Sequence, residues 1–310
     1  MNSVIEGALA QWGLVGARVT LVAQRENQVF RVIDGSEQSY ALRLHRHGYR
    51  TDPELTAELQ WMAALANGGL SVPAPVSALD GHALHRVEET QVSVLGWLDA
   101  KPLGEIGKPL DLPDRAGVFF TLGSEMAKLH DISDRWTPPG SFRRWSWDRD
   151  GLLGDQPLWD RFWENPTLSE ADRSMLTAFR RDATATLAGM ESTLDYGLIH
   201  ADLVPENVMR SANGALYLID FDDGGYGFRL FDIATAIIKH RAEPDFEDLR
   251  AALIDGYLSK RKLDMAALDL FMALRAVTYV GWIIQRMGED RAALRNERFL
   301  AQAREMISKL

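Results

Sequence analysis

Residues 198–207 read Leu-Ile-His200-Ala-Asp202-Leu-Val-Pro-Glu-Asn207, and thirteen residues after Asn207 the run Leu216-Tyr217-Leu218-Ile219 delivers Asp220, followed by Phe221, Asp222 and Asp223. Apolar residues on both sides predict short strands at 196–200 and 215–219 with a polar loop between them. The residue types in that loop fit one chemistry. Moving a phosphoryl group from a nucleoside triphosphate to a hydroxyl asks for a carboxylate that orients the hydroxyl and takes its proton. It also asks for oxygen ligands that hold Mg²⁺ against the β- and γ-phosphates. Asp202 suits the first task, and Asn207 and Asp220 suit the second. The base needs no raised pKa where the transition state is loose, because positioning and charge neutralisation supply most of the rate.

Outward from the loop, the two parts of the chain differ in character. Residues 18–23, 29–33 and 40–44 are β-branched or alternating runs, broken by Glu26-Asn27-Gln28 and Asp34-Gly35-Ser36, which predicts two short hairpins. Pro53 opens a helix whose Leu55, Leu59, Met62 and Leu65 share one stripe, and Gly68-Gly69 ends it. Further strands are expected at 82–87 and 91–98. Residues 99–113, with three prolines and two glycines, read as a linker or hinge. Beyond it, 113–131, 169–191, 228–240, 245–258, 264–287 and 290–310 carry helical apolar spacing. Residues 133–166, rich in Trp, Pro, Gly and Arg, yield no assignment. The expectation is an α+β chain with a sheet-and-helix domain over 1–98 and a mostly helical domain over 99–310, with a nucleotide at the cleft between such domains.

Composition narrows the function classes. The 310 residues are 46% hydrophobic and 25% charged, the profile of a globular protein. Zero cysteines exclude thiolate metal sites and a cysteine nucleophile, and fit a reducing compartment. A net charge of −10 argues against nucleic acid as a partner. The longest uncharged run, 59–79, contains two prolines and two glycines, and the first residues lack a basic leader. Neither a membrane span nor a signal peptide is expected, and the expected location is cytoplasmic.

The 198–207 motif, the Asp220-Phe-Asp222-Asp223 run and Phe231-Asp232-Ile-Ala234 together resemble the aminoglycoside phosphotransferase / choline kinase branch of the protein-kinase-like superfamily, near its homoserine kinase and stress-response kinase group. The resemblance spans nearly the whole chain. It implies a two-lobed protein-kinase-like fold, with a small antiparallel-sheet N-lobe holding one main helix and a larger, mostly helical C-lobe. It implies ATP and Mg²⁺ as cofactors, Asp202 as catalytic base, Asn207 and Asp220 as metal ligands, His200 as a brace for the loop, and Asp232 as an anchor of the catalytic loop that accepts backbone hydrogen bonds from a following helix. Asp222 and Asp223 would shape the metal or substrate site or form a solvated acidic turn.

The N-terminal part departs from the pattern. Such kinases hold the α- and β-phosphates with a strand lysine paired to a helix glutamate. Here the third strand carries Arg43, so Arg43 with Glu58 as its partner is expected in that role, with altered geometry and reach. The loop Arg25-Glu26-Asn27-Gln28 has no glycine, which leaves backbone N–H groups and Asn27 to meet phosphate. Residues 92–98, including Leu95 and Trp97, are apolar enough to sandwich a purine.

Other features carry less. His45, His47, His82 and His85 offer no four convergent zinc ligands. His130 is explained by a helix C-terminus, and Trp136, Trp145, Trp147, Trp159 and Trp163 by packing, a lobe brace or a lid. The expected reaction is transfer of the γ-phosphate to a hydroxyl of a small metabolite such as an amino alcohol or hydroxy amino acid. The Asp222/Asp223 pair hints at a cationic group on it. A Ser/Thr protein kinase of the stress-response type and a non-catalytic nucleotide-binding module are the alternatives. The sequence leaves the oligomeric state open.

Overall fold

The computed structural model describes residues 2–24 and 27–310. The chain opens on α1 (Asn2–Gln11), then β1 (Arg18–Gln24), β2 (Gln28–Ile33), β3 (Ser39–Leu44) and α2 (Asp52–Asn67). Short strands β4 (Pro75–Val76), β5 (Leu84–Val87), β6 (Thr90–Gly96) and β7 (Ala100–Pro102) follow, then α3 (Arg115–Arg135). β8 (Ser146–Trp147), α4 (Arg149–Leu153) and α5 (Glu170–Met190) lead to β9 (Tyr196–Ile199), β10 (Val208–Ser211), β11 (Leu216–Leu218) and β12 (Gly225–Phe228). Helices α6 (Arg229–Ile238), α7 (Phe246–Leu258), α8 (Leu268–Trp282) and α9 (Ala292–Ser308) complete the chain. Two compact units result. One takes the residues up to Leu103, Ile132–Arg144 and Asn207–Asp222; the other takes Gly104–Asp131, Trp145–Glu206 and Asp223–Leu310.

The first unit rests on an antiparallel sheet ordered β1-β2-β3-β6-β4, with β5 also paired to β6. Alternation puts Phe30, Val32, Leu42, Leu44, Val92 and Val94 in one buried cluster with Val4, Ala8 and Leu9 of α1 and with Trp12 just beyond it. This first helix lies outside the sequence-based expectation, although its apolar spacing of 4, 8, 9 and 12 is helical. Trp12 Nε1 donates to Val76 O at 2.8 Å. Between Leu42 and Leu44 the pleat sends Arg43 to the opposite side, where it meets Glu58 of α2. Glu54 accepts from Thr51 N at 2.7 Å and Thr51 Oγ1 at 2.9 Å, which seats the start of α2. A second small sheet, β11-β10-β7, forms the hairpin whose ends carry Asn207 and Asp220, and Ile219 N donates to Asn207 O at 3.0 Å.

The second unit is helical around α6, every residue of which is buried. Its small sheet, β8-β12-β9, supports the loop that follows β9. Expected helix 113–131 is α3, shifted toward its C-terminal side, so His130 sits mid-helix and the C-terminal dipole does not account for it. Expected helix 264–287 is α8 plus a 3₁₀ turn, Ile284–Arg286. The segment Leu268–Arg286 is long and apolar enough to cross a membrane, but 72% of it is buried inside the protein, the pattern of a core helix. The unassigned stretch 133–166 holds β8, α4 and a 3₁₀ turn, Phe162–Glu164.

Helices α3 and α7 approach each other backbone to backbone at a pair of glycines. A Cβ on Gly123 would stand 2.0 Å from Leu253 O, and one on Gly256 would stand 1.9 Å from Phe120 O. Neither carbonyl belongs to a side chain that can swing away. Gly256→Ala is therefore expected to destabilise the protein by about 3 kcal/mol, read in calorimetry as a Tm lower by roughly 5–10 °C. An unchanged Tm would show that the helices separate freely.

Candidate active site

In the first unit, Arg43 and Glu58 form a buried ion pair, Nη1 to Oε1 at 2.7 Å, with side chains 8% and 1% exposed. Burial alone would disfavour both charges. Glu58, Asp220 and Asp222 more than reverse it for Arg43, whose pKa is raised. Arg43 and Arg144 do the same for Glu58, whose carboxyl is held below its usual range. Glu58 Oε2 is buried without a hydrogen-bond partner. The turn after Asp220 is pinned by two more arginines. Arg50 Nε donates to Asp222 Oδ1 at 2.9 Å, and Arg144 Nη2 donates to Phe221 O at 2.8 Å and Asp222 O at 2.6 Å. The cations and carboxylates thus alternate around Arg43, which lets a cluster of charge be buried at all.

Asp220 has φ +66°, a left-handed backbone that aspartate tolerates better than most residues. Asn207 is buried, and Asp220 is exposed. Both offer hard oxygen donors, the kind Mg²⁺ takes when phosphate and water fill its other positions. Among the described residues no group of three or more His, Asp or Glu side chains could enclose a metal. A two-oxygen set therefore fits a nucleotide-bound Mg²⁺ better than an all-protein cage.

Of the other nucleotide-side candidates, Arg25 and Glu26 lie outside the described residues. Asn27 Oδ1 accepts from Arg46 N at 3.2 Å. Leu95 is buried on β6. Trp97 lies 4.8 Å beneath the Arg31 guanidinium and donates to Asp99 Oδ1 at 3.0 Å.

In the second unit, the 200–206 loop hangs from Asp232 in the first turn of α6. Asp232 Oδ2 accepts from His200 N at 3.0 Å and Oδ1 from Ala201 N at 2.8 Å. These bonds hold Ala201 at φ +63°. The donors are the loop itself, not a following helix. Behind Asp232 stands His130, with Nε2 3.0 Å from Asp232 Oδ2 and Nδ1 2.8 Å from Tyr257 Oη. One neutral tautomer satisfies both contacts: Nε2–H donates to the carboxylate and Nδ1 accepts from the phenol. Burial, aided by Arg229, pushes His130 down to about 4, so it is neutral at pH 7. Burial raises the Asp232 carboxyl, but His130 and the backbone donors reverse this and hold it low. His200 is fully buried, and its Nδ1 accepts from Asp202 N at 3.3 Å.

The carboxylate of Asp202 is 24% exposed and accepts from Arg275 Nη2 at 2.8 Å. Arg275 is fully buried, 4.4 Å from the Trp159 and Tyr279 rings. Asp223 O accepts from the indoles of Trp145 at 3.0 Å and Trp147 at 2.8 Å, and Trp147 stacks on Phe231. Part of the tryptophan cluster therefore braces the chain around Asp223 and α6.

Arg275 escaped the sequence reading, although it is the one basic residue inside α8, Leu-Asp-Leu-Phe-Met-Ala-Leu-Arg275-Ala-Val-Thr-Tyr-Val-Gly-Trp. A lone charge in an apolar helix was the available signal. Lys239, at the end of α6, gave a similar one.

The fold is that of a two-lobed, protein-kinase-like phosphotransferase. The chain belongs to the phosphotransferase enzyme family, whose sequence pattern matches residues 18–271. It is 25% identical over 300 residues to the amicoumacin kinase of Bacillus subtilis, spanning 92% of this chain and 85% of that one. It is 29% identical over 265 residues to the homoserine kinase of Acidiphilium cryptum, spanning 81% and 75% of the two chains. The solved structure of a microcompartment-associated aminopropanol kinase superposes with a TM-score of 0.84 at 29% identity, covering 100% of this chain and 97% of that one. The chain is an ATP-dependent phosphotransferase with a hydroxyl of a small metabolite as acceptor.

Proposed function

We propose that the chain phosphorylates the hydroxyl of an amino alcohol or hydroxy amino acid, in the cytoplasm, at the expense of Mg-ATP. Residues 1–98 serve as the nucleotide-binding lobe, and residues 99–310 carry the catalytic loop and acceptor site. Asp202 orients the hydroxyl and takes its proton as the oxygen attacks the γ-phosphorus and the bond to ADP breaks. His200 and Asp232 hold the loop on which Asp202 sits. Arg43, kept in place by Glu58, meets the α- and β-phosphates. Asn27 contributes at the phosphates, and Leu95 and Trp97 receive the adenine. Asn207 and Asp220 would hold magnesium, which would supply positive charge against the phosphates. Asp222, already engaged by Arg50, shapes the metal side, and Asp223 faces the acceptor.

The observation that carries this reading is the state of Asp202. A partly exposed carboxylate, fixed by a buried guanidinium on a loop tied to a buried aspartate, is a preorganised base. The names of the relatives supply the acceptor class: an aminopropanol kinase and a homoserine kinase share an amine and a hydroxyl in their substrates. The test is ADP release by the purified chain with Mg-ATP and a panel of such acceptors. Acceptor-dependent ADP and a phosphomonoester in the ³¹P spectrum are expected, both abolished by chelating the metal. ADP release that no acceptor stimulates would overturn the proposal.

A further inference from the structure

Beside Asp202, the second unit holds a cationic cluster that the reaction as described does not use. Lys239, at the end of α6, is half-buried, and its ammonium lies 3.3 Å from the centroid of Tyr279 and 5.1 Å from that of Phe299. Neither a hydrogen bond nor an ion pair to a carboxylate engages it among the described residues. The same Tyr279 ring is flanked by Arg275. Arg275 spends Nη2 on Asp202, while its Nε and Nη1 are buried with no hydrogen-bond partner. Tyr279 Oη is also buried, close enough to the Arg275 guanidinium to interact with it. Two basic side chains and a phenol thus meet there, and two buried donors of Arg275 are left without a hydrogen bond among the described residues. Leaving such groups unpaired costs about 1–3 kcal/mol each, more for charged ones, so the arrangement asks for an acceptor of hydrogen bonds.

We propose that Lys239, with Arg275 and Tyr279 behind it, receives an anionic group of the phosphoryl acceptor, a carboxylate, so that the acceptor is a hydroxy amino acid rather than its decarboxylated amino alcohol. The inference rests on the proposed function and selects between its two acceptor classes. A lysine ammonium with a guanidinium behind it gives a carboxylate two positive charges to meet. Aromatic faces that could cradle a cationic amine are already taken by the protein's own lysine and arginine. The electrostatics agree: burial and Arg275 pull Lys239 down to about 7, against the opposing pull of Asp202 and Glu206. A bound carboxylate would restore the charged form.

The test uses acceptors that differ only in the carboxylate: L-threonine against 1-amino-2-propanol, L-homoserine against 3-amino-1-propanol, and L-serine against ethanolamine. For the pair turned over best, the full chain is expected to favour the amino acid at least about 30-fold in kcat/KM, because rejecting the analogue leaves buried donors unpaired. Lys239→Met is expected to bring that ratio near one, chiefly through KM of the amino acid, and Lys239→Arg to recover part of it. A ratio is insensitive to the fraction of chain that is folded, so a destabilised variant still reports. Equal or better turnover of the amino alcohol by the unmodified chain, or a ratio untouched by Lys239→Met, would overturn the inference alone. If no member of any pair is turned over, the acceptor class itself falls, and this inference with it.

Discussion

Asp202→Asn is expected to lower kcat by about 10³-fold or more, the scale of removing a positioned base, while the chain stays folded. The choice of asparagine follows from Arg275. Asp202 is the hydrogen-bonded partner of a guanidinium that is fully buried and already has Nε and Nη1 unsatisfied. Asparagine keeps an oxygen for Nη2, so the fold loses an ion pair but no hydrogen bond. Asp202→Ala removes both and strands a buried charge, an event that costs about 3–5 kcal/mol. The alanine variant should therefore lose activity and stability together. Arg275→Met added to it should regain stability without activity. Single-turnover rates with Mg-ATP and a saturating acceptor, beside thermal melts, separate the two effects. Turnover of Asp202→Asn within tenfold of the unmodified chain would remove the base from its assigned place.

How far this was legible beforehand depends on the kind of information each residue carries. The catalytic loop and Asp220 were readable because their chemistry is local: a few polar residues at fixed spacing between short apolar runs. The first sheet was readable because its strands alternate. The hairpin 207–222 was readable as strands but not as part of the first unit, since its docking rests on β7 and on Leu218 N donating to Ser71 O, backbone pairings with no residue code. The strand Gly225–Phe228 was hidden for a related reason: Gly-Tyr-Gly-Phe has no strand signal of its own and is held by pairing with β8 and β9. α1 is a different case, since its helical spacing is present in the sequence. The hardest to read were Arg275 and Lys239. Nothing next to Arg275 in sequence says that its partner lies 73 residues upstream. Nothing beside Lys239 says that its ammonium rests on a ring of α8.

Acidification below pH 6 should unfold the protein well before its carboxylates protonate. Three histidines are buried neutral: His45 is pushed to about 3, His130 to about 4 and His240 to about 4, in each case chiefly by burial. Their ordinary value is 6.5, so between pH 6.5 and 4 the unfolded chain binds protons that the folded chain refuses. Stability must then fall as pH falls, by up to about 1.4 kcal/mol per group per pH unit. Over two units the three together reach roughly 8 kcal/mol by pH 4.5, comparable with the whole stability of many domains. The low carboxyls act in a different window. Asp172, taken to about 2 by Arg304, adds stability that is intact above pH 3.8 and lost toward pH 2, and Asp232, also held low, adds stability that is lost only below its ordinary value. A steep loss in urea midpoint between pH 6 and 4.5 would thus report the histidines. His240 allows the cleanest assignment, because its ring already packs edge-on against Phe119 at 4.8 Å with 3% exposure. His240→Phe keeps an aromatic ring there and removes the titration, so the pH slope of stability should fall by about a third. A slope left unchanged would mean that His240 takes up its proton without leaving the folded state.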